Sequence, residues 1–156
     1  MNWSLELTVA SDIDNNNVIK QRTNSNTTNR WVDGPINKAH FVANDADQVG
    51  LQAVWSASYD GDSPKYGITL WYASDNTSFQ QLGWRYGDAT WTHEDNFSDM
   101  NGHAGVGCYT WGTGTVMYSM FVNTKNTVEF YWKDTNTTTE STETHPINKW
   151  AKGQSK

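Results

Sequence analysis

Cysteine occurs once in this chain of 156 residues, at Cys108, and a lone thiol excludes an intrachain disulfide framework. Its place inside an apolar run reads as a small buried hydrophobe rather than a reactive group. Positive charge is scarce too: 11 Lys and Arg stand against 17 Asp and Glu, for a formal net charge of -6. No Lys/Arg cluster offers a footprint for phosphate, so nucleic acid is not an expected partner. No apolar run approaches the roughly 18 residues that a membrane-spanning helix needs. Met1 leads straight into a strand pattern without the apolar core of a signal peptide. The expectation is no membrane partner, and a protein that is cytoplasmic or released without a signal peptide.

Signals for catalysis are thin. The four histidines, His40, His93, His103 and His145, have no metal-ligand spacing, and no Gly-rich phosphate loop, nucleophile elbow or paired-Cys motif occurs. His93 and Glu94 are adjacent, which on a regular strand sends them to opposite faces. A glycoside hydrolase requires two opposed carboxylates, and Glu94, Asp95 and Glu129 are candidates of the kind any acidic chain contains. No cofactor, metal or enzymatic activity is expected. Helical periodicity is missing as well, which makes the class all-β.

What the chain does have is aromatic residues: nine Trp, seven Tyr and five Phe, each able to bury on the order of 150–250 Å². Charged residues are only 18%, and abundant Asn and Thr give a neutral, hydrogen-bonding surface that suits sugar. The aromatics are ordered. From Ala104 to Asp134 the runs AGVGCYTW, GTGTVMYSMFVN and NTVEFYWKD read as strand, turn, strand, turn, strand. VGLQAVWSAS, YGITLWYAS and TSFQQLGWRYG repeat that order upstream, so Trp55 answers to Trp111, Trp84 to Trp132 and Trp91 to Trp150. A period of about 50–60 residues is one that signals a propeller or array.

Taken in order, Trp3 to Ser11 alternates apolar and polar positions as a half-buried strand does. VIKQRTN is a weaker strand, and Trp31 opens a short outer strand limited by Pro35. A connector from Asn37 to Gln48 has room for a helical turn. After VGLQAVWSAS, the segment SYDGDSPK reads as a loop by its Gly, Pro and Asp content. ATWTHE is an outer strand, and DNFSDMNG parallels the earlier connector. TNTTTESTET is a solvated tract by composition, and HPINKWAKG echoes the GPINKAH of residues 34–40. The reading is one domain of three repeat units, about 1–48, 49–103 and 104–156, with the first lacking the VGLQAVW-type strand. Each complete unit is a four-stranded propeller blade.

The Trp-ended small apolar strands (AVW at 53–55, CYTW at 108–111), followed by GTVMYSMFVN, NTVEFYWKD and HPINKW, resemble the fungal fucose-specific lectin family over nearly the whole chain. Members of that family are six-bladed β-propellers. The resemblance implies a sugar held between neighbouring blades by an Arg on the second strand and a Glu or Gln on the third, against a Trp or Tyr wall. Carried over, the acceptors are Gln81 and Glu129, three positions before Trp84 and Trp132, with Tyr131 beside Glu129. The Arg position holds Thr69 in the second unit and Met117 in the third, and the first unit offers Glu6 with Lys20. No unit keeps the Arg, and a charge-assisted fork is roughly twice as strong as a neutral hydrogen bond. Trp31, Trp91 and Trp150 lie on short polar strands, as exposed walls or as core. Trp55, Trp84, Trp111 and Trp132 are expected to pack between blades.

The expected function is therefore a lectin that binds fucosylated or related glycans at shallow sites between blades. The alternatives are a propeller-type interaction module without sugar binding and, behind it, a glycoside hydrolase. Three units do not close a ring, so a homodimer giving six blades is expected.

Overall fold

The structure is a computed structural model that describes residues 16–25, 30–44, 51–60, 63–111, 116–134 and 151–153. The strand expected from Trp3 to Ser11, the tract after Asp134, and Glu6 and Trp150 lie outside those residues. What is described is all β. Strands β1 (Arg22–Ser25) and β2 (Arg30–Asp33) form a two-stranded sheet, followed by a single 3-10 turn, Pro35–Lys38, at the head of the expected connector. β3 (Leu51–Asp60), β4 (Ser63–Asp75), β5 (Ser78–Arg85) and β6 (Thr92–Ser98) form an antiparallel meander in sequence order. β7 (Gly107–Trp111), β8 (Val116–Val122), β9 (Val128–Asp134) and β10 (Ala151–Gly153) form a second meander of the same order. The three sheets are separate, and the described strands close neither a barrel nor a ring.

Two segments differ from their sequence reading. SYDGDSPK is largely strand, because the β3–β4 hairpin runs on until Asp60 pairs with Ser63. Pro64 is tolerated there since β5 pairs with β4 only from Gly67 onward, so no ladder donor is missing on that side. The residues DNFS belong to β6, not to the connector.

β4 explains how the sheets stack. GITLWYA is a continuous apolar run, the pattern of a strand buried on both faces. Ile68, Leu70 and Tyr72 join Leu82 and Trp91 in one core with Ile19, Ile36 and Ala43 of the N-terminal unit. Trp71 and Ala73 join Phe79 and Phe97 in a second core with Met117 and Phe121 of β8. The middle sheet thus has an apolar layer on each side. Phe97 and Phe121 meet at 4.8 Å and Phe79 and Phe121 at 5.1 Å. Thr110 Oγ1 also donates to the Trp55 carbonyl at 2.8 Å, joining β7 to β3.

Backbone hydrogen bonds fix how the two meanders correspond. Asn44 N donates to the Ala73 carbonyl, and Asn101 N donates to the Val122 carbonyl, at the same point of each unit. Ala73 faces Phe79 across its hairpin as Val122 faces Val128. Matching on these pairs, Ile68, Tyr72 and Leu82 correspond to Met117, Phe121 and Tyr131. Those are the residues with which each sheet meets the unit before it. Two independent observations therefore agree, and they sit one residue away from the Trp-to-Trp alignment of the sequence. Trp84 faces the N-terminal unit through its pairing with Ile68, whereas Trp132 pairs with Tyr118 and faces away from the middle sheet. Trp55 corresponds to Thr110 rather than to Trp111, and is about half exposed, stacked on Tyr66 at 5.3 Å instead of packed between sheets. A slip of one residue inverts every side chain in a strand.

Candidate functional site

Glu129 is the acceptor best placed to meet a ligand. It lies on β9 opposite Phe121, on the face turned to the middle sheet, and is half-buried. The turn before it is an Asn-built one. Asn123 Oδ1 accepts from the amides of Lys125 and Thr127, and Asn126 takes a left-handed φ of 59°. Held that way, Asn123 Nδ2 donates to Glu129 Oε1 at 2.8 Å, while the Tyr131 hydroxyl donates to Oε2 at 2.9 Å. Both of these donors are neutral, and between them they orient the carboxylate. The Tyr131 ring stands edge-on to Phe97 at 5.2 Å and to Phe121 at 5.9 Å. Burial, the hydrogen bond to Glu129 and the nearby Glu129 and Asp99 charges push the Tyr131 phenol up to about 12.

The remaining residues expected in sites fall differently. Thr69 and Gln81 face the third sheet from the middle one, while Met117, Glu129 and Tyr131 face back from the third. Positions read as two separate sites thus line opposite walls of one layer. Thr69, Gln81 and Met117 are buried in it, so as they stand they do not open to solvent. Thr69 Oγ1 is hydrogen-bonded to Ser56 Oγ at 2.7 Å. By register the counterpart of Glu129 is Gln80, whose Oε1 accepts from the Tyr72 hydroxyl at 3.1 Å. Trp91 is core, with its Nε1 donating to Gln21 Oε1 at 3.1 Å, so it supplies no donor to the Glu129 group. Trp31 is exposed, on β2.

Gln81 belongs to a network that the sequence did not suggest. Gln81 Nε2 donates to Glu94 Oε2 at 2.6 Å, and Arg85 donates to Glu94 Oε1 at 3.0 Å and to the Ile68 and Trp84 carbonyls at 3.2 Å. Glu94 reaches this face because it is the extra residue of a bulge: Gln81 pairs with Asp95 and Leu82 with His93. Its carboxylate lies over Gly83, where an added Cβ would overlap it. Gln81 Oε1 and Ser119 Oγ, from facing sheets, are buried without a hydrogen-bond partner among the described residues. The residues missed by sequence reasoning are Asn123, Arg85 and Tyr66, while Glu94 stands in the sequence reading as a candidate carboxylate but not as a partner of Gln81 and Arg85. Only Asn123 carried a local signal, its Asn-Thr-Lys-Asn turn.

Among the described residues no three His, Cys, Asp or Glu are grouped to hold a metal ion. Burial raises the Cys108 thiol to about 12, which leaves it protonated and unreactive at neutral pH. No protein-family model, curated protein or solved structure matches this chain.

Proposed function

We propose that this protein binds carbohydrate, without catalysis, at shallow sites where successive sheet units meet, and that these units are blades of a propeller. The observation that carries the reading is the Glu129 group. A carboxylate fixed by an amide and a phenol offers what a sugar hydroxyl requires, since its oxygens accept hydroxyl protons strongly. The neutral surface and the exposed Trp55–Tyr66 stack support the same chemistry. The propeller reading is supported by the repeated meander and by each sheet turning the same face to the unit before it. Fucose or a related sugar is the substrate class that the sequence resemblance favours.

A glycan array tests the reading, with Glu129→Ala beside the wild type. The expected outcome is a coherent sugar set for the wild type and a loss of about 1–3 kcal/mol in binding on truncation, the cost of removing a charged hydrogen-bond partner. Equal binding by both proteins, with unchanged circular dichroism, removes Glu129 from the site. Silence across the array favours the second reading, a protein-interaction module. That alternative has its own observation: Tyr109, Met120 and Val128, on the face of the third sheet turned away from the middle sheet, are exposed.

A further inference from the structure

One Asn-Gly dipeptide occurs in the chain, Asn101–Gly102, in the connector between β6 and β7. Each half of it has a structural reason to be there. The Asn101 amide donates to the Val122 carbonyl of the third sheet at 2.7 Å, as the Asn44 amide does to the Ala73 carbonyl at the equivalent joint. Asn101 Oδ1 accepts from the His103 amide at 3.0 Å. Gly102 is buried against the β4–β5 turn, where an added Cβ would lie 2.0 Å from the Asp75 carbonyl oxygen, so only glycine fits. At the equivalent joint Asn44 is followed by Asp45.

The two residues together carry a chemistry that neither has alone. Glycine has no Cβ to hinder its nitrogen, so the Gly102 nitrogen can attack Asn101 Cγ. The new N–Cγ bond closes a succinimide, the Cγ–Nδ2 bond breaks, and Nδ2 leaves as ammonia with the proton from Gly102. Water then opens either carbonyl of the ring and gives aspartate or isoaspartate, so one water enters for each ammonia lost. The attack requires a nitrogen that sheds its proton and comes within about 3–3.5 Å of the carbon. Here the proton is committed, because the Gly102 amide donates to the Asn76 carbonyl at 2.9 Å. The carbon is already activated, since the His103 amide at Oδ1 draws electron density from it.

We propose that Asn101–Gly102 is a modification site, protected while the connector is seated on the β4–β5 turn and deamidated when the two part. Side chains anchor that turn. Asp75 Oδ1 accepts from the Thr77 amide at 2.7 Å and from its hydroxyl at 3.1 Å, and Asn44 Nδ2 donates to Asn76 Oδ1 at 2.7 Å. Isoaspartate adds a methylene to the backbone beside Met100, and Met100 is bridged to Asn123, the residue that holds Glu129. A consequence for ligand binding rests on the Glu129 reading, whereas the modification itself does not.

Peptide mass mapping of the full chain aged in mildly alkaline buffer tests the site, together with hydrogen exchange at the Gly102 amide, the group that has to open. In denaturant Asn101 is expected to convert ahead of the other asparagines, and in the folded protein more slowly by about tenfold or more. Asp75→Ala loosens the turn and is expected to speed deamidation and Gly102 exchange by the same factor. Thr77→Ala replaces it if that variant does not fold. Equal rates in the folded and denatured chains overturn the protection. An Asn101 that converts no faster than other asparagines in denaturant overturns the site, and a turn variant that leaves deamidation unchanged overturns the dependence on opening.

Discussion

Tyr131 shows how a single residue serves both packing and polarity. Its ring fills the layer against Phe97 and Phe121 while its hydroxyl donates to Glu129. With the folded-state phenol near 12 and an ordinary one near 10, the folded protein keeps its proton where the unfolded chain has lost it. Stability from this residue is therefore intact below about pH 10 and falls as pH rises toward about 12. Burial also raises the Tyr72 phenol, so a tyrosinate absorbance titration should show a late-ionising phase whose amplitude shrinks by one phenol in Tyr131→Phe, with the urea midpoint of the wild type dropping over that window. A Tyr131→Phe protein whose late phase keeps its full amplitude would assign that phase to other tyrosines. The sequence placed Glu129 and Tyr131 side by side on one strand face, two residues apart. It gave no sign that Asn123 would complete the group, because that contact depends on the conformation of the intervening turn.

At the level of strands, the runs of β-branched and aromatic residues sufficed to find β3, β4, β5, β7, β8 and β9. Register was another matter. Trp84 and Trp132 look equivalent along the chain, yet hydrogen bonding sets them one step apart and on opposite faces, since burial of a face is decided by the neighbouring unit and not by the strand itself. The bulge at Glu94 was also illegible, because an extra residue in a ladder leaves no mark in composition. It has an energetic consequence. Arg85 is 9% exposed at its side chain and Glu94 23%, so Glu94→Ala would leave a buried guanidinium without its carboxylate. The expected cost is about 3–5 kcal/mol, read from urea denaturation. Glu94→Leu combined with Arg85→Met is expected to lose less than Glu94→Ala alone, since no charge is then stranded. A Glu94→Ala protein as stable as wild type would show that the pair is well solvated.

Across the whole molecule, the middle sheet shares one apolar layer with each neighbour, and the described cores do not join the outer two units directly. Stability in such an array is a sum of unit terms and nearest-neighbour interface terms, so damage should stay local. Ile36 is fully buried in the first layer and does not reach the second. Ile36→Ala removes methylenes from that layer alone, at an expected cost of about 2–5 kcal/mol. Amide hydrogen exchange should then speed at Ile19 and Ala43, whose amides bond to the Phe41 and Asn17 carbonyls, while the β8 amides paired to β7 and β9 keep their protection. A uniform rise in exchange across all three sheets would mean that the units open together. In that case the layers are coupled through the middle sheet strongly enough that the chain folds as one cooperative body, not as a series.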